Sequence, residues 1–154
     1  MKTNAVIDVF RNIFNDAKIP YDYLAEESVI KTGFQVDCKL KQANVQIEVK
    51  DAGVNFYIIS PMPANKEFLK EIREYLSLVN LELQIGSFKI NPEDGMIFFK
   101  YELITYWLES LPKEAAIEII KTAVLAFQQF GDGIAEIAQG LSDAETELVK
   151  AKTK

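Results

Sequence analysis

The first chemical fact about this chain is a missing side chain. None of its 154 residues is histidine, which removes the commonest general base, the commonest metal ligand and the group that titrates near neutral pH. Cys38 is the only cysteine. It falls on the apolar side of an alternating segment with no basic residue on that side, so it reads as a small buried hydrophobe. A reactive thiolate would need positive charge beside it. Gly131-Asp132-Gly133 lacks the lysine, the preceding strand and the spacing of a phosphate-cradling loop. Glu67, Glu71 and Glu74 interleave with Lys70 and Arg73 as neighbours on a helix surface, and Glu93-Asp94 belongs to a turn. No Asp-x-Asp-x-Asp-Gly run offers a calcium loop. A carboxylate pair that meets only in space is the one catalytic arrangement left open. The expectation is therefore a protein that is not an enzyme, with no catalytic residue, no cofactor and no metal.

Composition narrows the remaining classes. At 49% hydrophobic and 26% charged residues, the chain is too apolar for a disordered segment and too charged for a membrane protein. Its best apolar run, Ile117 to Phe127, is interrupted by Glu118 and Lys121, well short of the roughly 20 residues a bilayer requires. Asp8 and Arg11 arrive too early for a signal-peptide core. A single cysteine permits no internal disulfide and suits a reducing compartment, so a cytoplasmic location is expected. A net charge of −6 opposes a duplex-binding surface, because phosphate neutralisation needs lysine and arginine. The length fits a single domain, residues 1–154, with 142–154 as a short terminal helix and tail.

The elements that would position any site follow from periodicity. Val6, Val9, Phe10, Ile13, Phe14 and Ala17 mark one face of a first helix, which Pro20 ends. Phe34, Val36, Cys38 and Leu40 alternate with polar residues, and so do Val45, Ile47 and Val49, predicting two strands with one wet face each. Val54 to Ser60 is a third strand that is apolar on both faces. Asn65 opens a second helix carrying Phe68, Leu69, Ile72, Tyr75, Leu76 and Val79. Asn91-Pro92-Glu93-Asp94-Gly95 turns a hairpin between Phe88-Ile90 and Met96-Leu103. From Pro112 a helical register runs through Ile117, Ile120, Val124, Phe127, Gly131 and Ile134. The two glycines leave open whether this is one bent helix or two. Ser142-Asp143-Ala144-Glu145 reads as a capping box. The order α-β-β-β-α-β-β-α predicts an α+β fold with a five-stranded antiparallel sheet packed with helices.

The chain carries Glu74-Tyr75-Leu76 with Asn80, Gly86-Ser87-Phe88-Lys89-Ile90, Gly95, Ile97-Phe98-Phe99-Lys100, Asp132, and Ile134-Ala135-Glu136-Ile137 leading to Gly140. With these markers the order of elements resembles the YbjN-like group of bacterial proteins, whose fold is that of type III secretion chaperones. The likeness implies a five-stranded antiparallel sheet with three helices, and often a homodimer. The chaperone branch holds secreted proteins in an unfolded, wrapped state. The resemblance carries no catalytic residues across.

What remains is apolar surface on the sheet face that the first two strands leave polar. Met96 and Phe98 turn toward that face by alternation, joined by either Phe56 and Ile58 or Tyr57 and Ile59. Parity alone does not choose between those pairs. Such a patch marks an interaction site unless the long last helix, through Ala116, Ile119, Ala123 and Phe130, packs over it. Tyr106-Trp107-Leu108 is a second bulky group. Tyr21 and Tyr23 are a third, and Tyr75 with Leu78 could be a dimer contact. Tyr57, Ile59, Met96, Phe98, Tyr106 and Trp107 are taken as the partner-binding or dimer residues. The function expected is a chaperone-like or adaptor module that binds another protein or itself as a homodimer, with no nucleic acid and no membrane. The alternative is a small-molecule-binding or enzymatic domain with a pocket between sheet and helices.

Overall fold

The computed structural model describes residues 3–106 and 108–154. Helix α1 (Thr3–Asp16) buries Val6, Ile7, Phe10, Ile13 and Phe14, the face its spacing requires. It closes with Lys18 at φ 56°. There Lys18 N–H donates to Asn15 O at 3.1 Å and Ile19 N–H to Phe14 O at 2.8 Å, a left-handed cap that satisfies the last carbonyls. Strands β1 (Asp22–Leu24), β2 (Val29–Gln35), β3 (Gln42–Lys50) and β4 (Gly53–Ile59) follow. A 3₁₀ turn (Lys66–Phe68) leads into α2 (Leu69–Glu82), then come β5 (Ser87–Ile90), β6 (Ile97–Ile104), α3 (Lys113–Ala138) and α4 (Ala144–Lys152).

The sheet has six strands in the order β1-β2-β3-β4-β6-β5, and every pairing is antiparallel. This corrects the five-stranded expectation in two places. β1 is three residues long, too short to show a period. The alternation Phe34-Val36-Cys38-Leu40 does not mark one strand: β2 begins at Val29 and ends at Gln35, and residues 36–41 form a tight connection. In that connection Val36 N–H donates to Lys41 O at 2.9 Å and Lys41 N–H to Cys38 O at 3.0 Å, with Lys41 at φ 68°. Val36 and Leu40 are buried because the connection packs on α3, so a period of two arises there without a strand.

α3 runs unbroken for 26 residues, which settles the choice between one helix and two. Its glycines are packing notches. A Cβ on Gly131 would stand 2.6 Å from Cys38 Sγ, and one on Gly133 would overlap the Tyr75 hydroxyl. Asp132, between them, accepts from Lys39 N–H at 2.7 Å and pairs with Lys154 at 3.0 Å. The terminal helix is capped by Asp143, which accepts from Thr146 N–H at 2.8 Å. Ser142 donates instead to the buried Glu147 carboxylate at 2.9 Å.

α1, α2 and α3 pack on the inner face of the sheet, and α4 packs on α2 and α3. Inward side chains of the strands, such as Ile30, Ile47, Phe56, Ile58, Phe88 and Phe99, join those of the helices in one apolar core. At roughly 1.5–3 kcal/mol for each large side chain removed from water, this layer dominates the favourable side of folding.

Candidate functional site

β4 resolves the parity question left by its sequence. Val54, Phe56 and Ile58 are buried against the helices, and Asn55, Tyr57 and Ile59 face outward, half-exposed. In β6, Ile97 and Phe99 point inward, so Phe98 and Lys100 point outward, as does Met96 just before the strand. The register sets Ile59 opposite Phe98 and Tyr57 opposite Lys100, so adjacent strands deliver their outward apolar groups to one spot. Tyr57, Ile59, Met96 and Phe98 line a shallow depression of about 260 Å³ with Gln46 of β3. The Tyr57 and Phe98 rings meet edge to face, 6.0 Å apart at 62°, a preferred aromatic geometry. The buried arc of α3 that could have covered this patch instead packs on the opposite face. No helix among the described residues crosses the outer one.

Charge frames the patch on one side. The Tyr57 hydroxyl donates to Glu48 Oε2 at 3.4 Å. Lys100 Nζ lies 5.6 Å from the Tyr57 ring centroid and pairs with Glu102 at 2.6 Å. Partial burial, then the neighbouring Glu48 carboxylate, push the Tyr57 hydroxyl above its ordinary value, so the phenol is neutral at physiological pH.

The other expected residues are not brought to this place. Tyr106 is 67% exposed, beyond the end of β6 that lies away from Met96. Trp107 lies outside the described residues. Tyr75 is fully buried and its hydroxyl donates to Phe130 O at 3.0 Å, so it is a core residue and not a dimer contact. Burial raises its ionisation well above the ordinary range. Tyr21 and Tyr23 are half-buried and carry the Arg11 guanidinium over their rings at 6.0 and 4.7 Å.

Two further concavities lie away from this patch. One is an apolar groove of about 480 Å³ between α1 and the N-terminal half of α3, floored by Phe14 and Phe34 and walled by Ile117, Ile120, Val124 and Leu125. Its signal was present in the sequence: both the 116-119-123 and the 117-120-124 series are apolar, and one helix cannot bury both against a single sheet. The other, about 710 Å³, is a wide polar cleft beside Cys38, Lys41, Gln128 and Asp132. Burial pushes the Cys38 thiol up, away from thiolate reactivity. Burial also pulls the Asp132 carboxyl up, but the Lys39 N–H and the Lys154 ammonium outweigh it and hold it below its ordinary value. Among the described residues no three of His, Cys, Asp and Glu gather in a group able to hold a metal ion.

No protein-family model matches the chain, and no curated protein matches it. Among solved structures, the crystal structure of YbjN, a proposed transcription regulator from E. coli, is similar. Its TM-score is 0.58 at 9% sequence identity, over 79% of this chain and 85% of that one. At that identity the likeness concerns the fold, which is YbjN-like.

Proposed function

From a YbjN-like fold and an uncovered apolar patch, we propose that this chain is a non-catalytic protein-binding module of the chaperone or adaptor kind. It works in the cytoplasm as a homodimer and holds a segment of another protein. The observation that carries the reading is the convergence of Tyr57, Ile59, Met96 and Phe98 on a sheet face that no helix among the described residues covers. Antiparallel sheets tolerate one wet face, but water-facing positions then alternate toward polar residues, as they do on β3 at Asn44, Gln46 and Glu48. Four neighbouring apolar side chains break that rule at one place, and contiguous apolar surface of this sort marks interaction sites. Tyrosine and phenylalanine supply contact area at little rotamer cost, as interface anchors do.

Direct duplex binding is a poor alternative for a chain of net charge −6. A small-molecule site would fall in the α1–α3 groove. Only Gln35 and Lys121 bring polar groups to that groove among its lining residues, too few to fix the orientation of a substrate. The test is purification of the tagged protein from its source cell beside the double variant Tyr57→Asp, Phe98→Asp, with circular dichroism melting to verify that the variant folds. A stoichiometric partner, or a second copy, should elute with the wild type and be lost from the variant. An identical composition from both would contradict the assignment of the surface.

A further inference from the structure

The edge of the sheet next to the α1–α3 groove is unfinished. Val49 N–H donates to Ser28 O at 3.0 Å and Val36 N–H to Lys41 O at 2.9 Å. Both pairs continue the register that sets Val29 opposite Glu48 and Gln35 opposite Gln42. Ile30, Thr32 and Phe34 therefore direct their backbone groups toward β3, and the alternate residues Val29, Lys31, Gly33 and Gln35 direct theirs to the other edge. β1 covers that edge only from Val29 to Lys31. The next residue in line, opposite Gly33, would be Pro20. It has no N–H to give, and its carbonyl accepts from the Thr32 hydroxyl at 2.8 Å. The edge-side N–H and C=O groups of Gly33 and Gln35 have no hydrogen-bond partner among the described residues, and both residues are exposed.

Beside this edge lies the apolar groove, into which Gln35 and Phe34 both extend. Leu125 on its wall is 62% exposed. Among the described residues the one charged side chain lining it is Lys121, whose ion-pair partner there, Glu118, is distant at 3.7 Å on an exposed helix surface. Backbone donors and acceptors at two-residue spacing, an apolar wall and one cation thus sit together. A helical occupant would use the wall but leave the edge groups unpaired. An extended one uses all three.

We propose that this groove takes an extended, apolar peptide segment of a partner protein. The segment adds to the free edge of β2 at Gly33 and Gln35, seats an apolar side chain between Phe34 and α3, and presents a carboxylate to Lys121. The inference rests on the protein-binding reading but uses a surface separate from the outer sheet patch.

Fluorescence anisotropy with a defined set of labelled octapeptides tests it. Each carries Val, Ile or Leu at alternate positions, with one glutamate, with lysine in its place, or with the amides of one edge N-methylated. The glutamate peptides should bind, and N-methylation should weaken them about tenfold or more, the equivalent of two strand hydrogen bonds. Lys121→Glu should reverse the preference toward the lysine peptides. Leu125→Asp, at an exposed position that leaves the fold intact, should abolish binding. The sheet-face variant Tyr57→Asp, Phe98→Asp should bind these peptides as the wild type does, so the two surfaces fail or succeed independently. Equal binding of N-methylated peptides, or no binding by any member of the set, would overturn the proposal.

Discussion

Gly131 and Gly133 lie two residues apart in one helix, yet alanine should have different effects at the two positions. Beside Gly133 the obstacle is the hydroxyl end of Tyr75, a fully buried ring anchored on Phe130 O, which cannot withdraw without giving up that bond. Beside Gly131 it is the half-buried thiol of Cys38 in a surface connection, which can move. Alanine gains up to about 1 kcal/mol in helix propensity at either position, whereas overpacking a tight core costs about 1–3 kcal/mol. Gly133→Ala should therefore lower stability by about 1–2 kcal/mol in urea unfolding, and Gly131→Ala should be near neutral. Asp132, between them, makes a pH prediction. Its carboxyl is held below the ordinary value of 3.8 by the Lys39 N–H and Lys154. Its contribution is therefore complete above that pH and fades as the pH falls through the folded-state value. Asp132→Asn should unfold at lower denaturant than wild type at pH 7, and the gap should narrow at pH 3. A gap that persists unchanged would remove the carboxylate from the account.

Among the elements, the β5 edge is protected in a way that the β2 edge is not. Asn80, on α2, donates from Nδ2 to Phe88 O at 3.0 Å and accepts from Phe88 N–H at 2.8 Å, so its amide stands in for a neighbouring strand. Asn80→Ala leaves a half-buried donor and acceptor unpaired, which costs about 1–3 kcal/mol, and it reopens an edge that can template pairing between copies. Lower stability with concentration-dependent association in light scattering is the expected outcome. No change in either would show that α2 does not guard the edge. This bond joins two of the residues on which the YbjN-like resemblance rested. Elements with regular periods, α1, α2, β3 and β6, were legible because local pattern and tertiary burial agree there, and β4 was legible as an apolar run between Gly53 and Pro61. β1 was not, since three residues have no period. β2 was displaced because the packed connection at Val36 and Leu40 mimics a strand. α3 was ambiguous because helix propensity penalises glycine, while close packing of Gly133 against Tyr75 favours it.

For the molecule as a whole, the site was half legible. Alternation placed Met96 and Phe98 on the outer face of β6, but an apolar run such as Phe56-Tyr57-Ile58-Ile59 carries no phase of its own. Only the pairing with β3 and β6 determines that Tyr57 and Ile59 face outward. The groove between α1 and α3 depends on two helices meeting over the end of β2, and no single segment encodes that. The molecule thus presents apolar surface on both sides of one sheet, the outer patch that we propose binds a protein partner or a second copy and the groove that we propose takes an extended segment. The central proposal, that the chain binds a partner or a second copy of itself through the outer patch, is tested most directly in its homodimer form by light-scattering mass in solution for the wild type and the double variant Tyr57→Asp, Phe98→Asp. The account predicts twice the chain mass of 17.4 kDa for the wild type and a folded single chain for the variant. Equal masses for the two proteins would contradict it.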